Sequence, residues 1–238
     1  MADPLTPLKP PAQAPVREGY ADVGGGVKLW YWDTGGTGET VILLHPATGS
    51  ALVWPYQQPV FAQAGYRVIS YSRRGYYKSP ADTTAPPGTG AGDFRAFVQA
   101  LDLKKFHIVS SAAGSGIGVD YVLSYPETVL SFTNANGIGG PEDDAYQEMV
   151  LRIRPPGFDD YPPEFREIGP SYRAANPDGV AEWKRLEHIA LAGARIRQTR
   201  INKVTKESLR NLRVPTLLMT GDADLYFPPS MLRTLATY

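Results

Sequence analysis

The chain has 238 residues, of which 42% are hydrophobic and 20% charged, a length and balance that suit one globular domain with a substantial core and room for an inserted subdomain. Its 24 basic and 24 acidic residues cancel, so no field of one sign invites nucleic acid or an anionic membrane surface. It has no cysteine and only three scattered histidines, which excludes disulfides and thiolate catalysis and argues against a metal site; no cofactor is expected.

In chain order, residues 1–18 form a proline-rich arm, expected to be extended or disordered. No apolar stretch reaches the ~18 residues of a membrane span, and the arm lacks the apolar core of a signal peptide, so a cytoplasmic location is expected. Tyr20–Val23 and Val27–Asp33 read as antiparallel strands joined at Gly24-Gly25-Gly26. Thr40-Val41-Ile42-Leu43-Leu44 is a continuous apolar run, as in a central strand covered on both faces. It opens into His45-Pro46-Ala47-Thr48-Gly49, and His45 itself reads as a packed structural histidine. Trp54–Ala64 reads as a helix and Tyr66–Tyr71 as another buried strand. The arginines of the following Ser72-Arg73-Arg74-Gly75 loop are expected to tie that loop to the body of the protein. Asp93–Leu101 reads as a helix with Asp93 as its N-cap.

Phe106-His107-Ile108-Val109-Ser110-Ser111 is a short apolar strand that turns abruptly, through Ala112-Ala113-Gly114-Ser115-Gly116, into a helix ending before Pro126. A strand-to-helix turn this tight holds one side chain above the sheet and needs small residues two positions either side. With Ser111 or Ser115 at the apex, Val109 or Ile117 would occupy a crowded position; with Ala112 there, the flanks are Ser110 and Gly114. Val129–Ala135 is one more strand. From residue 139 to 213 the strands cease and helical segments follow near 145–153, 163–172, 179–192 and 206–212. Within this region Trp183 and His188, with Phe158, Tyr161 and Phe165, are candidates for a pocket wall; aromatic residues at such spacing also serve simply to pack one layer on another. Val214–Thr220 resumes the sheet and leads into Gly221-Asp222-Ala223-Asp224, followed by a helix over 231–236. The alternation predicts an α/β fold with a mostly parallel, doubly wound sheet, divided into an arm (1–18), a first core part (19–138), a helical cap (139–213) and a second core part (214–238).

The elbow around Ala112, the His45…Gly49 loop and the Gly221…Asp224 loop, in that order, resemble the α/β-hydrolase superfamily. The resemblance implies that Ala112 stands where members carry their serine nucleophile, that the backbone N–H groups of Ala47 and Ala113 form the oxyanion hole, and that Asp224 is the triad acid. Ser111, Trp183 and His188 are the accompanying candidates for substrate contacts. It also implies that the family's last strand and its histidine loop would come after Tyr238. The function expected from it is hydrolysis of an ester, lactone or similar acyl bond in a small molecule, here in a Ser-to-Ala inactivated form; the alternatives are a carbon–carbon hydrolase, a cofactor-free dioxygenase and a non-catalytic ligand receptor. Ser72 stands where the family commonly has aspartate, and Pro46 where it commonly has glycine. Oligomeric state is left open, a homodimer included.

Overall fold

The computed structural model describes residues 6–137, 140–154 and 156–238. Seven strands form one sheet in the order β1-β2-β4-β3-β5-β6-β7. They are β1 (Arg17–Asp22), β2 (Lys28–Asp33), β3 (Thr40–Leu44), β4 (Arg67–Tyr71), β5 (Phe106–Ser111), β6 (Val129–Ala135) and β7 (Thr216–Met219). The three glycines between β1 and β2 all take positive φ, which turns the chain back on itself without a Cβ clash. β2 pairs antiparallel with both β1 and β4, and every pairing from β4 across to β7 is parallel.

The alternation of β3 decides which residue serves which layer. Ile42 and Leu44 point into the larger core with Ile69, Tyr71, Phe106 and Ile108, whereas Val41 and Leu43 join Trp30, Trp32, Trp54 and Val68 on the other face. Helix α1 (Gln57–Gln63) lies on the tryptophan side; α2 (Gly90–Ala100) and α3 (Ala113–Ser124) cover the opposite face, burying Phe94, Phe97, Val119 and Tyr121. A sheet with helices on both faces must bury its central strands completely, and β3 is buried at all five positions.

Between β6 and β7 the described residues form five α-helices and one 3-10 turn (Phe158–Asp160) and add no strand to the sheet: α4 (Asp144–Ile153), α5 (Pro163–Glu167), α6 (Pro170–Ala175), α7 (Pro177–His188) and α8 (Lys206–Arg210). The single helix expected over 163–172 is two, because Pro170 begins a new helix and forbids the preceding residue a helical conformation. The expected boundary at 138–139 lies outside the described residues. After β7, α9 (Pro229–Leu235) packs Met231 and Leu235 against Tyr146 of α4 and Phe227. No helix among the described residues is long and apolar enough to cross a membrane.

Two further expectations need correction. The arm ends earlier than residue 18, because Arg17 pairs with Asp33 and opens β1. Its preceding stretch is bound to the body: Gln58 accepts from the Ala14 N–H and donates back to the Ala14 carbonyl, and Tyr56 donates to Leu8 O at 2.8 Å. Asp93 does not cap its helix either. Thr89 does, accepting from Gly92 N at 3.0 Å, while Asp93 sits inside the first turn and pairs with Arg74 at 2.6 Å. The carboxylate is drawn inward by that guanidinium, and the hydroxyl three residues before Gly92 takes over the capping.

Candidate active site

Register places four strand ends side by side. Leu44 of β3 pairs with Ser110, Ser111 with Ala135 of β6, and Ala135 with Met219 of β7. The loops that follow these residues therefore open at one edge of the sheet, the carboxyl edge at which open α/β sheets place their ligands.

Ala112 joins β5 to α3 with φ 47° and ψ −113°. This conformation is unfavourable for a residue with a Cβ, costing on the order of 1–3 kcal/mol. Its N–H is fixed by Ala135 O at 3.0 Å, and its carbonyl accepts from Ser115 N at 3.0 Å. The turn is crowded below. A Cβ on Gly114 would lie 2.3 Å from Leu44 O and 2.9 Å from His45 O, so no larger residue fits. Ser110, two residues before Ala112, is fully buried and donates to Thr133 O at 2.9 Å, with Ser115 Oγ 2.9 Å away.

The loop after β3 is held by His45. This imidazole is fully buried; its Nδ1 lies 2.8 Å from Pro46 O, and its Nε2 accepts from the Arg73 backbone N–H at 3.1 Å. One nitrogen must donate and the other accept, which defines a neutral ring with its proton on Nδ1. Burial, reinforced by the Arg73 charge, holds the His45 pKa well below its ordinary 6.5. His45 is thus a neutral brace for the loop. The Arg73 guanidinium lies over the Tyr76 ring at 4.5 Å, and Ser72 Oγ accepts from Ala51 N at 3.3 Å.

Two cavities meet at this edge. One, of about 820 Å³, lies between the N-terminal arm, the loop after β3 and α6–α7; Ser111 and Trp183 both line it. The other, of about 550 Å³, is lined by Ala47 and Ala113 together with several arginines. Among the described residues neither the Ala47 nor the Ala113 backbone N–H has a hydrogen-bond acceptor within the chain. Residue 112 lies in the chain between Ser111 of the first cavity and Ala113 of the second.

Asp224 stands in the loop after β7. Its Oδ1 accepts from the N–H groups of Tyr226 and Phe227, each at 2.8 Å; its Oδ2 accepts from Asn136 Nδ2 at 2.5 Å, while the Thr220 hydroxyl, 3.4 Å from Oδ2, donates its one proton to Phe227 O at 2.5 Å. Asp222 is exposed. Sequence reasoning missed Asn136, whose φ of 54° marks a residue turned out of a parallel strand's carboxyl end. An asparagine directly after the last β residue was the available signal, since Asn tolerates that backbone. His188, expected to touch substrate, is instead exposed at the last residue of α7 and lines neither cavity, because the apolar side of that helix turns Trp183 and Leu186 inward. His107 is engaged with Ser131 and Glu39, so no histidine among the described residues reaches Asp224.

Residues 39–173 match the family model of the alpha/beta hydrolase fold. A 2-hydroxy-6-oxononadienedioate/2-hydroxy-6-oxononatrienedioate hydrolase from Paraburkholderia phymatum is 33% identical over 124 residues, which cover 50% of this chain and 43% of that protein. Bifunctional epoxide hydrolase 2 from Sus scrofa is 29% identical over 69% of this chain, a match that spans 30% of that protein's length. A thermophilic esterase from Thermogutta terrifontis superposes with a TM-score of 0.73 at 19% identity, over 94% of this chain and 86% of the esterase.

Proposed function

The chain belongs to the α/β-hydrolase fold family, and from that premise we propose that residue 112 is the nucleophile position of an acyl-hydrolase site, occupied here by a methyl group. The backbone of Ala112 carries this reading. An alanine held at positive φ over a glycine that nothing can replace is a strained position, and strain of this kind collects where a side chain must be presented to a ligand. Relatives named for the hydrolysis of different bonds support a hydrolase on this fold. Cleavage of an acyl bond is the finer reading, supported by the pair of unengaged N–H groups on either side of the turn.

In the active form a serine hydroxyl at 112 adds to the substrate carbonyl carbon. The carbonyl oxygen takes up negative charge and is stabilised by the N–H groups of Ala47 and Ala113. The hydroxyl proton passes to a base and from it to the departing alcohol; water then cleaves the acyl-enzyme by the same route. Asp224 is the group suited to orient an imidazole base, at the Oδ2 now held by Asn136. Trp183 and Ser111 line the space for the substrate's apolar part. With alanine at 112 the attack has no nucleophile, and loss of this oxygen alone costs on the order of a millionfold in turnover in a comparable serine hydrolase. The chain therefore holds its ligand without turning it over. The same methyl favours a second reading, a receptor that binds and never acylates.

Ala112→Ser separates the two. Mixed with activated esters and lactones, with free imidazole supplied as the base, the variant is expected to release a burst of product and to carry an acyl group on the peptide containing position 112. Absence of any adduct across such a panel, with the variant folded, overturns the hydrolase reading and leaves the receptor.

A further inference from the structure

Two guanidinium groups hang from adjacent carbonyls at the mouth of the smaller cavity. Arg73 Nη2 donates to Pro46 O at 2.9 Å, and Arg195 Nη2 donates to Ala47 O at 3.3 Å. Both belong to the wall that also presents Ala47 and Ala113. Burial lowers the hold of Arg73 on its proton; Tyr76 and Tyr71 oppose that shift, and the like charge of Arg195 adds to it.

Their neighbours are treated differently. Arg74 is paired with Asp93 and Arg200 with Glu142, whereas among the described residues Arg73, Arg195 and Arg197 form no salt bridge. The one carboxylate in the cavity wall, Asp120, is already saturated by the N–H groups of Ile201 and Asn202 and by the Asn202 side chain. That wall thus offers three positive groups and no acid free to answer them, and of the three Arg73 and Arg195 are the ones bonded to the carbonyls of the loop after β3.

The segment that brings Arg195 here has no helix or strand, yet it is tied at several points. Leu191 bridges to Tyr76, and Thr199 to Thr89. Gln198 Nε2 donates to Asp93 Oδ2 at 2.8 Å and to Pro87 O at 2.9 Å, and Ile201 N donates to Asp120 at 2.8 Å. Held in this way, Arg195 closes one side of the cavity while Tyr76 Oη and Arg195 share the Ala47 carbonyl, which fixes the orientation of the Ala47 peptide.

We propose that Arg73 and Arg195 form a carboxylate subsite beside residue 112, so that the substrate is an acyl compound carrying a second, free carboxylate. This rests on the acyl-hydrolase reading and narrows its substrate class. The forked guanidinium matches the two oxygens of a carboxylate, and removal of water from the cavity strengthens that pairing. A ligand anchored there sets its reactive carbonyl toward Ala47 and Ala113, and the carboxylate offsets the repulsion between the two arginines.

The test is calorimetric titration of the chain as it stands with glutarate monoethyl ester, with the neutral diethyl ester and with inorganic phosphate. The monoester is expected to bind about tenfold or more tightly than the diester, with an advantage that shrinks as salt rises. Arg195→Gln, at an exposed position, is expected to remove most of that preference while the thermal midpoint stays in place. Equal affinity for the two esters, a preference untouched by Arg195→Gln, or phosphate binding as tightly as the monoester overturns the carboxylate assignment. Acylation of Ala112→Ser by the diester is measured separately. If it proceeds without any preference for the anionic ester, the hydrolase reading stands and the subsite fails; anion-selective binding without acylation keeps the subsite and defeats the hydrolase reading.

Discussion

Asn136 donates from Nδ2 to Oδ2 of Asp224 at 2.5 Å, joining the end of β6 to the loop after β7. With two backbone N–H groups on Oδ1, this bond engages both carboxylate oxygens without any histidine. Asn136 also occupies a left-handed backbone position, so its removal must be separated from backbone strain. Asn136→Gly keeps the backbone and deletes the amide, and is expected to cost about 1–3 kcal/mol, a hydrogen bond to a charged group, in urea unfolding. Asn136→Asp sets two carboxylates against each other, and one of them must hold its proton in the folded state. Its folded pKa then exceeds the unfolded value of about 3.9, so the variant's stability is present below that value and is lost as pH rises through the raised pKa. A flat difference from the parent protein between about pH 4 and pH 7 would show that the two groups do not meet in solution.

Glycine at 112 relieves the positive φ that alanine bears there. The gain of about 1–3 kcal/mol in strain exceeds the roughly 0.5–1 kcal/mol that glycine's extra freedom costs. Ala112→Gly is therefore expected to raise the thermal midpoint, and a lower midpoint would mean that the turn relaxes in solution.

Gly114→Ala is expected to act in the opposite direction. The added carbon meets the Leu44 and His45 carbonyls, which are backbone atoms of a buried strand end and cannot swing away. Overpacking of this kind costs about 1–3 kcal/mol or more, read as a lower urea midpoint. An unchanged midpoint would show that α3 begins farther from β3.

His45 makes the fold sensitive to mild acid. Its pKa is lowered on folding, so below about 6.5 the unfolded chain takes up a proton that the folded chain refuses. The stability due to the neutral ring is complete above that value and falls by up to about 1.4 kcal/mol per pH unit below it. Urea titrations between about pH 8 and pH 5 read this slope, and His45→Gln is expected to flatten it. The same slope in the variant would place the titrating group elsewhere.

All seven strands are legible in the sequence because each is either a continuous apolar run, as in Thr40–Leu44, or an alternating one. The strand–helix turn at Ala112 is legible through local sterics, since small residues at 110 and 114 leave one register. What escaped depends on partners distant in the chain. Asp93 looks like a cap until Arg74, nineteen residues earlier, claims it. The N-terminal arm reads equally as an extended strap or a loose tail, and the strap emerges only from Gln58, which binds Ala14 through both its amide groups. Arg195 lies in a coil with no periodicity to mark it, and only the ties to Tyr76, Thr89 and Asp120 bring it beside Arg73. His188 reads either as a pocket-wall candidate or as a surface or boundary histidine, because a histidine at a helix end suits solvent as well as a pocket; it lies exposed at the end of α7.

On the proposed reading, an oxygen placed at residue 112 stands beside the N–H groups of Ala47 and Ala113. A boronic acid bound to Ala112→Ser tests it most directly, because boron becomes tetrahedral only when the hydroxyl adds to it and one of its oxygens then occupies the oxyanion position. The account predicts a tetrahedral boron signal by NMR and, in a crystal of the adduct, a boronate oxygen about 2.7–3.1 Å from both amide nitrogens. Boron that stays trigonal, or an adduct whose oxygens point away from Ala47 and Ala113, would contradict it.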